Sequence, residues 1–395
     1  MLLLKVLIIA LLLFFPFGEI IRIDLGNNIF LKPVDAISIL IFVWTSVMYI
    51  RSEEYRKSLQ WYFFLFPAIG LISLLINTFW LKPNEFLSSL LYLVRWVAYL
   101  SVFFAVIKFD NGFIKIFKSF LIADGVIVLF IGFLQFFFYP SLRDLFYQGW
   151  DEHLYRMFSS FLDPNFVGAF FVLYLIFIAG FLFANLKNRK AITFYSLLLV
   201  VTLVAIFLTY SRSALIMLVV SGITFFILKQ KKKFILLLLG ILTLFIVVLS
   251  PFFYIENLDL FRFNSSLSRL SDIGNAITIF KDHPLIGVGF NSYRYAQIHY
   301  HFVNPNSLFP SHSAAGTDNS FVFILATTGI FGLAVYLNLW YQLSKKAWKS
   351  KNNNSLIFLS STIGLFINAF FNNSLFYAEI MVWMWLITSF LFEKN

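Results

Sequence analysis

The chain contains no cysteine, which excludes disulfides, thiolate metal sites and cysteine nucleophiles. Charge is scarce as well. Only 12% of the 395 residues are Asp, Glu, Lys or Arg, whereas soluble domains carry roughly a quarter. In place of charge, 60% of the residues are hydrophobic, and the mean hydropathy is +0.85. Such a chain is solvated mostly by lipid. There is no Walker motif, and Gly287-Val288-Gly289 lacks the third glycine and preceding strand of a nucleotide loop, so it reads as a tight turn. His299 and His301 are only two apart, and neither His-Glu-x-x-His nor an acidic calcium loop occurs. The residues therefore call for no metal and no cofactor.

What is present is a succession of apolar runs. A membrane-crossing helix needs about 20 such residues. Candidate spans lie near 2–17, 34–50, 59–80, 86–107, 113–139, 165–185, 191–209, 213–228, 234–255, 319–341, 355–371 and 374–392. The first run also suits a signal peptide, but Phe-Pro-Phe-Gly-Glu offers no small-x-small cleavage site, so a retained helix is expected. The stretch between Lys190 and Lys229 would measure about 57 Å as one helix, nearly twice the bilayer core. It must fold back, and the polar Tyr210-Ser211-Arg212-Ser213 marks the turn.

Basic clusters fall at 51–57, 108–118, 187–190, 229–233 and 345–351, each separated from the next by an even number of spans. All five can share the cytoplasmic side, which puts both termini there. On this reading 19 of the 30 lysines and arginines are cytoplasmic, 10 are external, and Arg95 is in a span. Orientation accounts for the net charge of +11, and nucleic acid is not needed to explain it. The expected fold is an all-α, polytopic helical bundle of about twelve spans, forming one membrane domain over 1–395.

Two connections on the other side are long. One covers 140–165, and the other, 256–317, is the large external loop and carries four of the five histidines. Within it, Leu267, Leu270, Ile273, Ile277 and Phe280 recur at helical spacing, predicting a surface helix over 265–280. Ser265 or Ser266 would cap it, His283-Pro284 would stop it, and Arg269 and Asp272 would project from its opposite face. Arg95, Asp124 and Glu379 fall within spans, where charge is costly. They are expected to pair with one another or to line a polar groove, with Glu379 nearest the external side.

External arginines suit the capture of phosphate, because the planar guanidinium binds its oxygens bidentately. Arg262 and Arg156 read more simply as headgroup or loop ion pairs. Arg212, alone in an apolar hairpin, does not. Tyr293, Tyr295, Tyr300 and Trp150 could stack on sugar faces, although interfacial anchoring explains them nearly as well.

Four pieces of sequence then resemble the O-antigen ligase and polymerase superfamily of bacterial membrane proteins, over roughly 160–341. Asp163-Pro164-Asn165 precedes a span. Thr209-Tyr210-Ser211-Arg212-Ser213-Ala214 resembles the family's T-x-S-R-[SG]-A hairpin. Arg269 followed by His283-Pro284-Leu285-Ile286-Gly287-Val288-Gly289 is similar to its R…H-P-L-x-G-x-G loop. Asp318-Asn319, nine residues and Gly329-Ile330-Phe331-Gly332 fit H-[NSQ]-x9-G-x-x-[GTY] in all but the first letter.

The resemblance implies transfer of a saccharide from a polyprenyl diphosphate to an acceptor hydroxyl, in the bacterial cytoplasmic membrane, without metal or nucleotide. Donor and acceptor oligosaccharides on the polyprenyl carrier, the lipid bilayer and a chain-length regulator are the implied partners. Arg212 and Arg269 match the family's diphosphate-binding arginines, and Arg294 and Glu379 are further candidates for substrate binding. Ligases place their proposed base, a histidine, where this chain has Asp318. The departure favours a polymerase of lipid-linked repeat units over a ligase. His312 is the alternative base, and Asn319 would orient the base or a sugar hydroxyl. A transporter or flippase is the remaining reading, but the sequence shows neither two related halves nor paired broken helices.

Overall fold

The computed structural model describes residues 1–26, 29–56, 59–231, 233–236, 239–240, 243, 263–303 and 316–393. Arg262, His312 and most of the span expected at 234–255 lie outside the described residues. The described residues are predominantly helical. Among the described residues the strands are a two-residue pair, Ile23–Asp24 and Phe30–Leu31, antiparallel with Ile23 opposite Leu31.

The helices are α1 (Leu2–Phe14), α2 (Pro33–Arg51), the single turn α3 (Glu53–Arg56), α4 (Tyr62–Ile76) and α5 (Pro83–Val106). Then come α6 (Asn111–Phe138), α7 (Pro164–Ala184), α8 (Arg189–Leu208) and α9 (Arg212–Leu228). After the undescribed stretch follow α10 (Phe263–Asp282), α11 (Tyr293–His299), α12 (Ser320–Ser350), α13 (Asn353–Asn368) and α14 (Ala378–Ser389). Seven described helices, α4 being counted with the turn that continues it to Phe79, are long and apolar enough to cross a membrane, and α1, α9 and α14 are shorter apolar helices. The polytopic helical bundle is as the composition required.

Local sequence fixes where these helices begin. The Asp163 carboxylate accepts hydrogen bonds from the backbone N–H groups of Asn165 and Phe166, with Pro164 in the first turn of α7. Ser211 caps α9, Asp110 caps α6 and Asn319 caps α12 in the same way, since the first turn of a helix has donors with no partner within it. The chain reverses between α8 and α9 at the expected place, with Tyr210 in the left-handed region (φ 48). At the centre, Phe170, Tyr174 and Phe177 of α7 pack around Trp383 of α14 at ring separations of 5.0, 6.1 and 5.5 Å.

Helix α12 is broken at Gly329 (φ 67, ψ −168), a break of which the sequence carries no sign. Segment 284–289 occupies the gap. The N–H groups of Val288 and Gly289 donate to the carbonyls of Ala326 and Thr327, and those of Ile330 and Phe331 donate to Pro284 and Leu285. Ser73 of α4 donates to the carbonyls of Ile286 and Thr327, and Asn77 to that of Gly287. Backbone freed by the break thus finds partners inside the protein, the condition for irregular chain within a membrane bundle. A Cβ on Gly287 would lie 2.4 Å from the Thr327 carbonyl carbon, and one on Gly329 would lie 2.2 Å from that of Leu285. The two glycines allow two backbones to touch. The expected tight turn at 287–289 is one half of this interlock.

Helix α10 begins before Ser265 and Ser266, so neither stands at its cap, and it ends at Asp282 before His283. Its buried side is Ala276 and Ile279, which pack with Val288, Tyr293 and Phe323. Leu270 and Ile277 of the apolar stripe are exposed. Helix α10 turns its polar Arg269 and Asp272 inward because they line a cavity.

Candidate active site

That cavity has a volume of about 730 Å³, within the range of small-molecule sites. Its walls come from Glu19, Arg22, Phe30 and Lys32, residues 88–96 of α5, the connection before α7, the α8–α9 turn, α10, residues 290–295 and 316–318, and the connection before α14. Apart from α5, these belong to the connections that alternate with the basic clusters, and no described residue of those clusters lines the cavity.

Two of the motifs meet at one wall. Asn165 Oδ1 accepts hydrogen bonds from Ser211 Oγ at 3.0 Å and Arg156 Nη2 at 3.4 Å. Ser213 Oγ accepts from Asn372 Nδ2 at 2.7 Å. Gly168 lets the hairpin sit against α7, since a Cβ there would lie 2.9 Å from that of Ala214. The small polar residues of the hairpin therefore hold the turn in place, and Arg212, in the first turn of α9, lines the cavity. Arg156, read from sequence as a headgroup or loop ion pair, is buried and lines the cavity, with Nε donating to the Thr209 carbonyl at 2.9 Å.

A second wall brings together residues far apart in sequence. Arg269 Nε lies 3.1 Å from Asp318 Oδ2, and Arg269 Nη1 donates to the Phe371 carbonyl at 3.2 Å. Burial raises the Asp318 carboxyl, Arg269 opposes that, and Asp163, Asp272 and Asp151 add to it, leaving the group at about 6. It is ionised at neutral pH yet close to its titration point. Burial likewise raises Asp151 and Asp272. Arg294, in the first turn of α11, lines the same space and has no ion-pair partner among the described residues. Asn319 does not line it. Its Oδ1 caps α12 through Phe321 and Val322, and its Nδ2 donates to the Phe370 carbonyl, so its amide is committed to holding the chain that carries Asp318. Tyr295 lines the cavity, whereas Tyr293 is fully buried.

Of the two readings of the charges within spans, pairing with one another is not what the structure shows, while lining a polar cavity holds for Arg95. Arg95 Nη2 binds Asp35 at 2.8 Å, Glu379 binds Lys32 at 2.7 Å, and Asp124 is buried apart from both, with Oδ2 lacking a partner. Glu379 is fully buried and does not line the cavity, but its partner Lys32 does. Lys32 also binds Glu19 at 2.8 Å, and its backbone N–H donates to Asp35. The sequence reading passed over Glu19, Arg22, Lys32 and Asp35. The available signal was four ionisable residues crowded around the ends of the first two spans.

Residues 197–337 match the family described as O-antigen ligase. No curated protein matches the chain. The match covers the Arg212 hairpin, Arg269, the interlocked 284–289 segment, Asp318 and the break in α12 at Gly329, and it bears out the resemblance drawn from the motifs. Over those residues the chain is similar to that family, and its long apolar helices are those of a membrane protein.

Proposed function

We propose that, with an O-antigen ligase family domain over residues 197–337, the protein polymerises polyprenyl-diphosphate-linked repeat units on the face of the bacterial cytoplasmic membrane away from the cytoplasm. The observation that carries this reading is the convergence of Arg212, Arg269, Arg294 and Asp318 on one cavity. A glycosyl diphosphate already holds a competent leaving group. Arginines aimed at it need only neutralise the charge that develops as the bond to the sugar breaks.

In the reaction, the acceptor hydroxyl oxygen attacks the anomeric carbon and the carbon–oxygen bond to the diphosphate breaks. The electron pair leaves on the diphosphate, and the hydroxyl proton passes to the Asp318 carboxylate. Arg269 touches Asp318, so the base and the leaving group's counter-charge are held by one side chain. A general base contributes typically a hundredfold or more, enough for Asp318 to matter once the diphosphate is clamped.

A ligase is the second reading, and the description of the matched family favours it. Deleting the gene and analysing carrier-bound glycan separates the two. Single repeats accumulating on the carrier are expected for the polymerase, whereas long polymer left unattached would make the protein a ligase. An unchanged glycan profile would remove both.

A further inference from the structure

The cavity lining has a second part that takes no share in the arginine wall just described. Arg22 lies over the rings of Phe30 and Trp150, at 4.4 and 5.0 Å, and donates to Gln148 Oε1 at 3.1 Å. Arg95 lies 4.8 Å from the Tyr92 ring and donates to the Phe30 carbonyl. Phe30, Trp150, Tyr92, Arg22 and Arg95 all line the cavity.

The charges of this part are matched internally. Arg22, Lys32 and Arg95 stand against Glu19, Glu379 and Asp35, at separations of 3.9, 2.8, 2.7 and 2.8 Å. Lys32 and Glu379 are almost wholly buried. An anion would have to displace a desolvated carboxylate to bind here, which costs more than a rim contact returns. Planar aromatic and guanidinium surfaces beside fixed hydrogen-bonding groups suit a different ligand. They fit an uncharged sugar, whose C–H face packs on a ring while its hydroxyls pair with the polar groups. Every residue of this part lies outside 197–337, the residues matched to the family.

Building on the glycan-transfer reading, we infer that Phe30, Tyr92 and Trp150, braced by Arg22 and Arg95, form a subsite for an uncharged sugar residue of the lipid-linked substrate. Selection of the sugar is thereby separated from recognition of the diphosphate, and it rests on the N-terminal part of the chain.

The test compares binding of two probes to purified protein: plain polyprenyl diphosphate, and the sugar-loaded carrier that accumulates in cells lacking the protein. The wild type should prefer the loaded carrier. Tyr92→Ala and Trp150→Ala should lose about tenfold of that preference, the scale of a stacked aromatic contact, while binding plain polyprenyl diphosphate normally. Tyr92→Phe and Trp150→Phe, which keep a ring, should retain most of it. An intact preference in both alanine variants, or equal loss for both probes, would overturn the subsite. So would equal binding by the wild type of a carrier bearing a uronic acid next to the diphosphate. If the wild type binds plain polyprenyl diphosphate no better than an Arg212→Ala/Arg269→Ala variant, the glycan-transfer reading itself fails, and the subsite falls with it.

Discussion

Arg269 and Asp318 are 49 positions apart in sequence and 3.1 Å apart in space. Their contact makes the two proposed roles interdependent. Arg212→Ala and Arg269→Ala should abolish polymer formation while the protein still inserts. Arg→Lys at either position should also be impaired, because lysine keeps the charge but loses the bidentate fork. Normal glycan from both alanine variants would remove the diphosphate clamp. Asp318→Asn should lower the rate roughly a hundredfold or more with carrier binding retained, since Arg269 remains available to phosphate. His312→Ala should have a mild effect; a dead His312→Ala beside an active Asp318→Asn would move the base to His312. A carboxylate accepts a proton only when ionised, so with Asp318 at about 6 the rate should rise with pH through that value and then level. Asp272 adds to the upward shift of Asp318, so Asp272→Asn should move this rise to lower pH. An unmoved profile would show that another group titrates.

At the scale of elements, the interlock between segment 284–289 and broken α12 has a sharper consequence. Gly287 and Gly329 both lie at positive φ, and both would drive a Cβ into opposing backbone. Left-handed backbone alone costs an L-residue about 1–2 kcal/mol, and here neither side can move away. Gly329→Ala and Gly287→Ala should each lower the unfolding temperature in detergent markedly. Gly274→Ala, where an added Cβ meets nothing within 4 Å, should be near neutral. Equal stability of all three variants would mean that the two segments are not locked together. The break also bears on the transporter reading, since transporters of that class build paired broken helices, whereas α12 is one helix interrupted once.

For the whole molecule, the alternation of basic clusters and cavity-lining connections predicts one orientation. Ser266→Cys and Ser307→Cys in this cysteine-free chain should react with an impermeant thiol reagent in spheroplasts, and Ser350→Cys should not. Labelling of Ser350→Cys alone would invert the topology and carry the cavity to the cytoplasmic side.

Composition, span length and the placement of lysine and arginine by themselves determined the membrane bundle and its expected orientation, because lipid tolerates so few alternatives. The need for a reversal followed from length, the polar Tyr210-Ser211-Arg212-Ser213 placed it, and the resemblance of motifs singled out Arg212, Arg269 and Asp318. Tertiary structure decided what no local pattern encodes. The apolar stripe of α10 gave the helix but not which side faces the protein, since Leu270 and Ile277 can meet lipid as readily as protein. Arg95 and Glu379 were recognisable as costly charges, yet their partners Asp35 and Lys32 are chosen by packing between helices distant in sequence. Gly329 looked like an ordinary glycine within a helix. Only the arrival of segment 284–289, with backbone groups of its own to satisfy, turned it into a break.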